Sequence, residues 1–235
     1  MSRQAPISSL THPAEYRMVM TPPALWSRDR ALASQFVYRC SLELGRGWRQ
    51  ALLPALPDTL SGSLQMHTWL SRHIAQQQGW PEGWQEGIED PLLCNVVLLS
   101  PEVLEAYLQR LGAVFFSGEI RQAISRQSVS AYRAALPCPL YEFSLQCASL
   151  MTNPIDTGPP LGPEFIKGAI EHAGRQALRR LCANHATWLW PRLRIKLPLH
   201  DDEEKPPEWL SVLDIADLER IGRRVLMAAS RTDSS

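Results

Sequence analysis

One stretch limits the fold more than any other. Between Glu164 and Leu189 the apolar residues return every three or four positions: Ile166, Ile170, Ala173, Ala177 and Leu181, with Phe165, Ala169, Leu178 and Cys182 widening the stripe. That spacing gathers them on one face of a single helix, about 39 Å long at 1.5 Å per residue. Glu164 and Glu171 come early and Arg175, Arg179 and Arg180 late, the order a helix dipole favours. Gly168 and Gly174 each lower helix propensity by about 1 kcal/mol relative to alanine, so both are read as points where another helix comes close, the alternative being that they are simply tolerated. Pro191 is read as the stop, because the residue before a proline is driven out of the α region. Beyond it, Arg192-Leu193-Arg194-Ile195-Lys196-Leu197-Pro198 alternates basic and apolar residues. A period of two describes an extended segment, with Leu193, Ile195 and Leu197 laid on the helices and Arg192, Arg194 and Lys196 opposite. That basic side is either a solvated edge or a surface offered to a partner.

The rest of the chain reads as helices joined by Pro/Gly-rich loops. Apolar spacing predicts helices over 30–44 and 64–78, and a third opening at Ser100-Pro101 and closing at Gly118. Short helices follow around Ile120/Ile124, over 128–136 and over 140–150, and a last one over 208–229. The apolar run Leu92–Leu99 fits either a buried helix or a strand. Tyr16 to Met20 is a possible extended partner for 192–197. The expected fold is mainly α and multi-helix, with at most a short extended segment near 192–197. Residues 1–29 are expected to be an irregular extension, 30–198 a helical core domain, and 199–235 an acidic linker (Asp201 to Glu204) followed by a helix packed on the core.

Composition removes several function classes. The 235 residues carry 24 basic and 24 acidic side chains, so no overall field draws in nucleic acid or an anionic membrane. No apolar run has signal-peptide length at the start, and none approaches the about 18 residues of a membrane span. The five cysteines are scattered without a CxxC pair, as expected for reduced thiols in a cytoplasm. No phosphate-binding, dinucleotide, metalloprotease or nucleophile-elbow motif occurs. Cys182 and His185 have CxxH spacing, but no further ligand pair is near in sequence. No catalytic residue, cofactor or metal is therefore assigned. The alternative is a helical enzyme or small-ligand-binding protein whose site gathers scattered residues such as Cys182, His185 and His67. The eight tryptophans are either lids on the core or contact residues. The candidate partner-binding set is Trp190, Arg192, Arg194, Lys196, Trp80 and Trp84.

The order of features resembles the SctK (YscK/PscK-like) family of type III secretion proteins. The likeness rests on the Ser100-Pro101 helix with Leu111-Gly112-Ala113, Ile120-Arg121, and Leu140-Tyr141-Glu142-Phe143-Ser144-Leu145. It continues through the long helix with Gly174-Arg175 and Leu178 to Arg192–Pro198, and spans about Leu92 to Pro198. The resemblance implies a non-enzymatic cytoplasmic adaptor of the sorting platform, at the cytoplasmic face of the inner membrane. Its implied partners are the pod protein SctQ and the cytoplasmic domain of the ring protein SctD, and indirectly the stator SctL and the export ATPase.

Overall fold

The computed structural model describes residues 35–36, 39–45, 47–52, 64–80, 90–151, 157–158, 160–199 and 205–232. The expectations for Tyr16–Met20, Trp84, Asp201–Glu204 and most of 30–38 and 152–159 lie outside these residues. Mainly helical structure is observed, with no strand among the described residues. The helices are α1 (Trp48–Leu52), α2 (Leu64–Gln77), α3 (Pro91–Val97), α4 (Pro101–Gln122) and α5 (Arg126–Ala135). They continue as α6 (Cys138–Gln146), α7 (Pro163–His185), α8 (Leu189–Arg194), α9 (Glu208–Val212) and α10 (Ile215–Thr232). Short 3₁₀ turns occupy Cys40–Glu43 and Cys147–Leu150. None of the described helices is long and apolar enough to cross a membrane.

Local chemistry sets the starts. Asp90 Oδ1 accepts from the N–H of Leu92 at 2.6 Å and of Leu93 at 3.0 Å, with Pro91 in the first turn of α3. Ser100 caps α4 ahead of Pro101 in the same way. Each cap satisfies donors that the first helical turn leaves without an acceptor. The run Leu92–Leu99 is therefore helical at its start and not a strand.

Three expected boundaries move. Gly118 does not close α4, which runs on to Gln122. Burying Ile120, 1% exposed, outweighs the about 1 kcal/mol that a helical glycine costs. Ile124, 91% exposed, lies past the end and belongs to no helix of its own. Helix α5 begins at Arg126, because Ser125 and not Ser128 is its cap: Ser125 Oγ accepts from the Ser128 N–H at 3.0 Å. The single expected helix over 208–229 is two, broken where Asp214 Oδ1 accepts from the Ala216 N–H at 3.0 Å.

The main core forms around α4 and α7. Leu104, Leu108 and Leu111 of α4 and Ile166, Ile170, Ala173 and Ala177 of α7 are buried together. Leu140 and Tyr141 of α6 and Leu218, Ile221 and Val225 of α10 join the same cluster. The two long helices touch backbone to backbone at Gly112 and Gly174. A Cβ on Gly112 would fall on the Ile170 carbonyl, and one on Gly174 on the Leu108 carbonyl. Gly168, expected to mark a similar approach, faces open space. A second, smaller cluster holds Cys40, Trp48, Leu52, Leu70, Ile74, Trp80 and Ile195.

These glycines have opposite expected mutational signs. Gly112→Ala and Gly174→Ala must push two backbones apart, and each is expected to cost about 3 kcal/mol in urea unfolding. Gly168→Ala removes only the helical penalty and is expected to stabilise by up to about 1 kcal/mol. Equal effects in the three variants would contradict the crossing.

Candidate functional site

The residues singled out by their alternation form a joint, not an extended edge. Helix α7 ends at His185, and α8 restarts at Leu189. Pro191 falls in the first turn of α8, where a missing N–H costs nothing, so it does not stop a helix as expected. After Arg194 the chain keeps winding in tight turns: Lys196 N–H donates to Leu193 O at 3.0 Å and Leu197 N–H to Arg194 O at 3.1 Å. A winding segment of this kind spreads its side chains around its axis rather than onto two alternating faces. Leu193 and Leu197 accordingly enter the main core, while Ile195 enters the smaller N-terminal cluster.

The expected solvated basic face is turned inward. Lys196 is 2% exposed and Arg192 4%, and Arg194 is half-buried. The Lys196 Nζ meets Glu43 Oε2 at 2.8 Å and donates to the carbonyls of Val97 at 2.8 Å and Leu99 at 3.0 Å. Three donors on an ammonium thus find three acceptors, two of them carbonyls that the end of α3 leaves open. Its Nζ also lies 5.1 Å from the centre of the Phe36 ring. Burial pushes this ammonium below its ordinary pKa, opposed by the Glu43 charge and hydrogen bond. Arg192 lies over Trp80 and Trp188, at 5.5 and 5.7 Å from the ring centres. Arg194 lies 5.4 Å over Trp48 and donates to Gln78 Oε1 at 2.9 Å. Low-dielectric surroundings strengthen such cation–π contacts.

Of the other expected contact residues, Trp190 and Trp80 are 8% and 9% exposed. Both help close the interior, and Trp84 lies outside the described residues. Glu43 carries no signal in the sequence, because a buried ion partner has no local pattern, and Trp48 stands there only among the tryptophans that are either lids on the core or contact residues. Gly45 gave the nearest signal. Its N–H donates to Ile195 O at 2.7 Å, and a Cβ there would fall on the Leu197 carbonyl.

Cys182, His185 and His67 serve separate local contacts. Cys182 is in the main core, and burial drives its thiol pKa well above the ordinary value. His67 Nδ1 meets Ser41 Oγ at 3.1 Å. His185 Nε2 meets Glu219 Oε1 at 2.7 Å, tying the end of α7 to α10. Asp90, His185 and Glu219 bring their ligand-type atoms within 4.8 Å of one another. The Arg223 guanidinium reaches both carboxylates there, 3.2 Å from Asp90 and 2.8 Å from Glu219. The cluster is therefore an ion-pair network whose cation is a side chain, and Asp90 carries α3 into it through its cap.

Two outcomes follow from this geometry. Glu43→Gln or Lys196→Met leaves a buried group without its partner, and each is expected to lower stability by about 3–5 kcal/mol. Urea unfolding checks this, and a loss below about 1 kcal/mol in both, the range of an exposed pair, would contradict it. Iodoacetamide mapping should label Cys138 in the folded protein before Cys40, Cys94, Cys147 and Cys182, since it alone of the five is exposed. Its hydrogen bond to Glu142 raises its pKa and should slow that labelling, whereas burial shields Cys147 and raises its pKa to about 11.

No curated protein sequence and no solved structure matches the chain. The family described as YOP proteins translocation protein K (YscK) matches over residues 30–228. This reaches beyond the Leu92–Pro198 stretch that carries the resemblance, taking in the N-terminal cluster and most of α10. With most of its 235 residues matched, the chain belongs to the YscK (SctK) family of type III secretion proteins.

Proposed function

We propose that this protein is a structural adaptor of the type III secretion sorting platform, joining the ring protein SctD to the pod protein SctQ, and through it to SctL and the export ATPase. Membership of the YscK family over residues 30–228 carries this reading. The polar clusters of the fold support it. Each one ties a helix end or a layer to its neighbour: Lys196 at the end of α3, Asp90 at its start, His185 between α7 and α10. Such a molecule is suited to holding partners in place. In this reading it works in the cytoplasm, at the face of the inner membrane. Contact through Trp190, Arg192, Arg194, Lys196 or Trp80 requires that the surface covering them move, since all but Arg194 are buried.

The test is co-purification of the full chain with its cognate SctQ and with the cytoplasmic domain of SctD, alongside a secretion assay in a deletion strain. The expected result is a stable complex and loss of secretion, restored by the wild-type gene. Absence of binding to both proteins together with normal secretion in the deletion strain would overturn the reading.

A further inference from the structure

Among the described residues there are two separate apolar clusters, and one segment serves both. The smaller cluster is built from residues of 40–52 and 64–80, with Ile195 as the contribution from outside. The layer is also tied to itself. Ser41 Oγ donates to the His67 carbonyl at 2.9 Å, and Ser71 Oγ accepts from the Ser41 N–H at 3.0 Å, fastening the 3₁₀ turn to α2. Its ends are fixed elsewhere: Phe36 is buried in the main core, and Asp90 caps α3.

Several described contacts of this layer with the rest of the molecule fall on residues 192–199. Gly45 bonds Ile195, and Gly47 packs on Leu199. Gln78 receives Arg194, Trp48 and Trp80 lie under Arg194 and Arg192, and Glu43 pairs with Lys196. The attachment is thus largely polar and cation–π, with Ile195 as its shared apolar side chain. Such attachments differ from an apolar core in one respect. Desolvation offsets much of the attraction of a buried ion pair, whereas apolar burial stabilises in proportion to area. Units joined this way open at lower free energy than the core they sit on.

We propose that residues 40–52 and 64–80 form a cap that opens as one unit from the 192–199 joint while the α4–α7 core remains folded, with the Lys196–Glu43 pair as its latch. Opening removes Trp80 from Arg192, Trp48 and Gln78 from Arg194, and Glu43 from Lys196. This inference stands apart from the adaptor reading, because it concerns the chain alone.

Hydrogen-exchange mass spectrometry on the full chain in increasing urea below the global transition tests it. The expected result is one shared, urea-dependent opening for the amides of 40–45, α1 and α2, at least about 10-fold more populated than that of α4 and α7. Glu43→Gln should raise exchange of the cap by about 100-fold or more, with α4 and α7 still at least about 10-fold better protected than the cap. Loss of protection in α2 and α4–α7 together would overturn the proposal. So would independent exchange of 40–45 and α2, or unchanged cap exchange in Glu43→Gln. The wild-type measurement decides the first two points even if the variant does not fold.

Discussion

The close crossing of α4 and α7 is the constraint from which the rest of the structure follows. Backbones meet at Gly112 and Gly174, where no side chain fits between them. This brings Leu108, Leu111, Ile170, Ala173 and Ala177 into one buried layer. The helices that surround the pair, α6 and α10, then close its open sides with Leu140, Tyr141, Leu218, Ile221 and Val225. Interiors packed at crystal-like density transmit such a fixed approach to every neighbour. The arginines of α7 carry the same frame outward: Arg175 donates to the Pro198 carbonyl at 3.4 Å, and Arg180 donates to the Leu210 carbonyl.

A second constraint acts where the apolar effect is weakest. The N-terminal layer is held by a segment that presents three cations, and each has a different kind of acceptor. Lys196 takes carbonyls and a carboxylate, Arg192 takes two indole faces, and Arg194 takes an indole and an amide. The difference follows from shape: an ammonium is a compact point donor, whereas a guanidinium is planar and stacks. Because Lys196 also closes the open carbonyls after α3, the joint links the layer, α3 and α8 at one point. For a protein of a secretion-system family, this geometry is an internal fastening in the isolated chain, made by basic residues that the sequence leaves open as either a solvated edge or a partner surface.

Helical class, the apolar stripes and several helix starts were legible from the sequence, since caps and periodicity are local. Ser100-Pro101 is an example: hydroxyl, proline and acid act within one turn. The buried face of α7 was legible for the same reason. Boundaries that depend on distant packing were not. Gly118 looks like a stop until Ile120 has a core to enter, and Pro191 looks like a stop until a new helix begins just ahead of it. The conformation of 192–197 was misread for a related reason. Alternation of period two fits an extended segment. It equally fits a winding segment lying between two apolar clusters, and only the second cluster distinguishes them. Burial of the cations was illegible because Glu43, Val97 and Leu99, their acceptors, are remote in sequence.

The sequence by itself determined which stretches are helical, which face of each is apolar, and which family the features resemble, because all three rest on short-range spacing and residue type. Tertiary structure alone decided where the long helices cross, which glycine allows it, and which way Arg192, Arg194 and Lys196 turn. A cation faces water or the interior according to the acceptors it meets, and those are supplied only when distant segments are brought together.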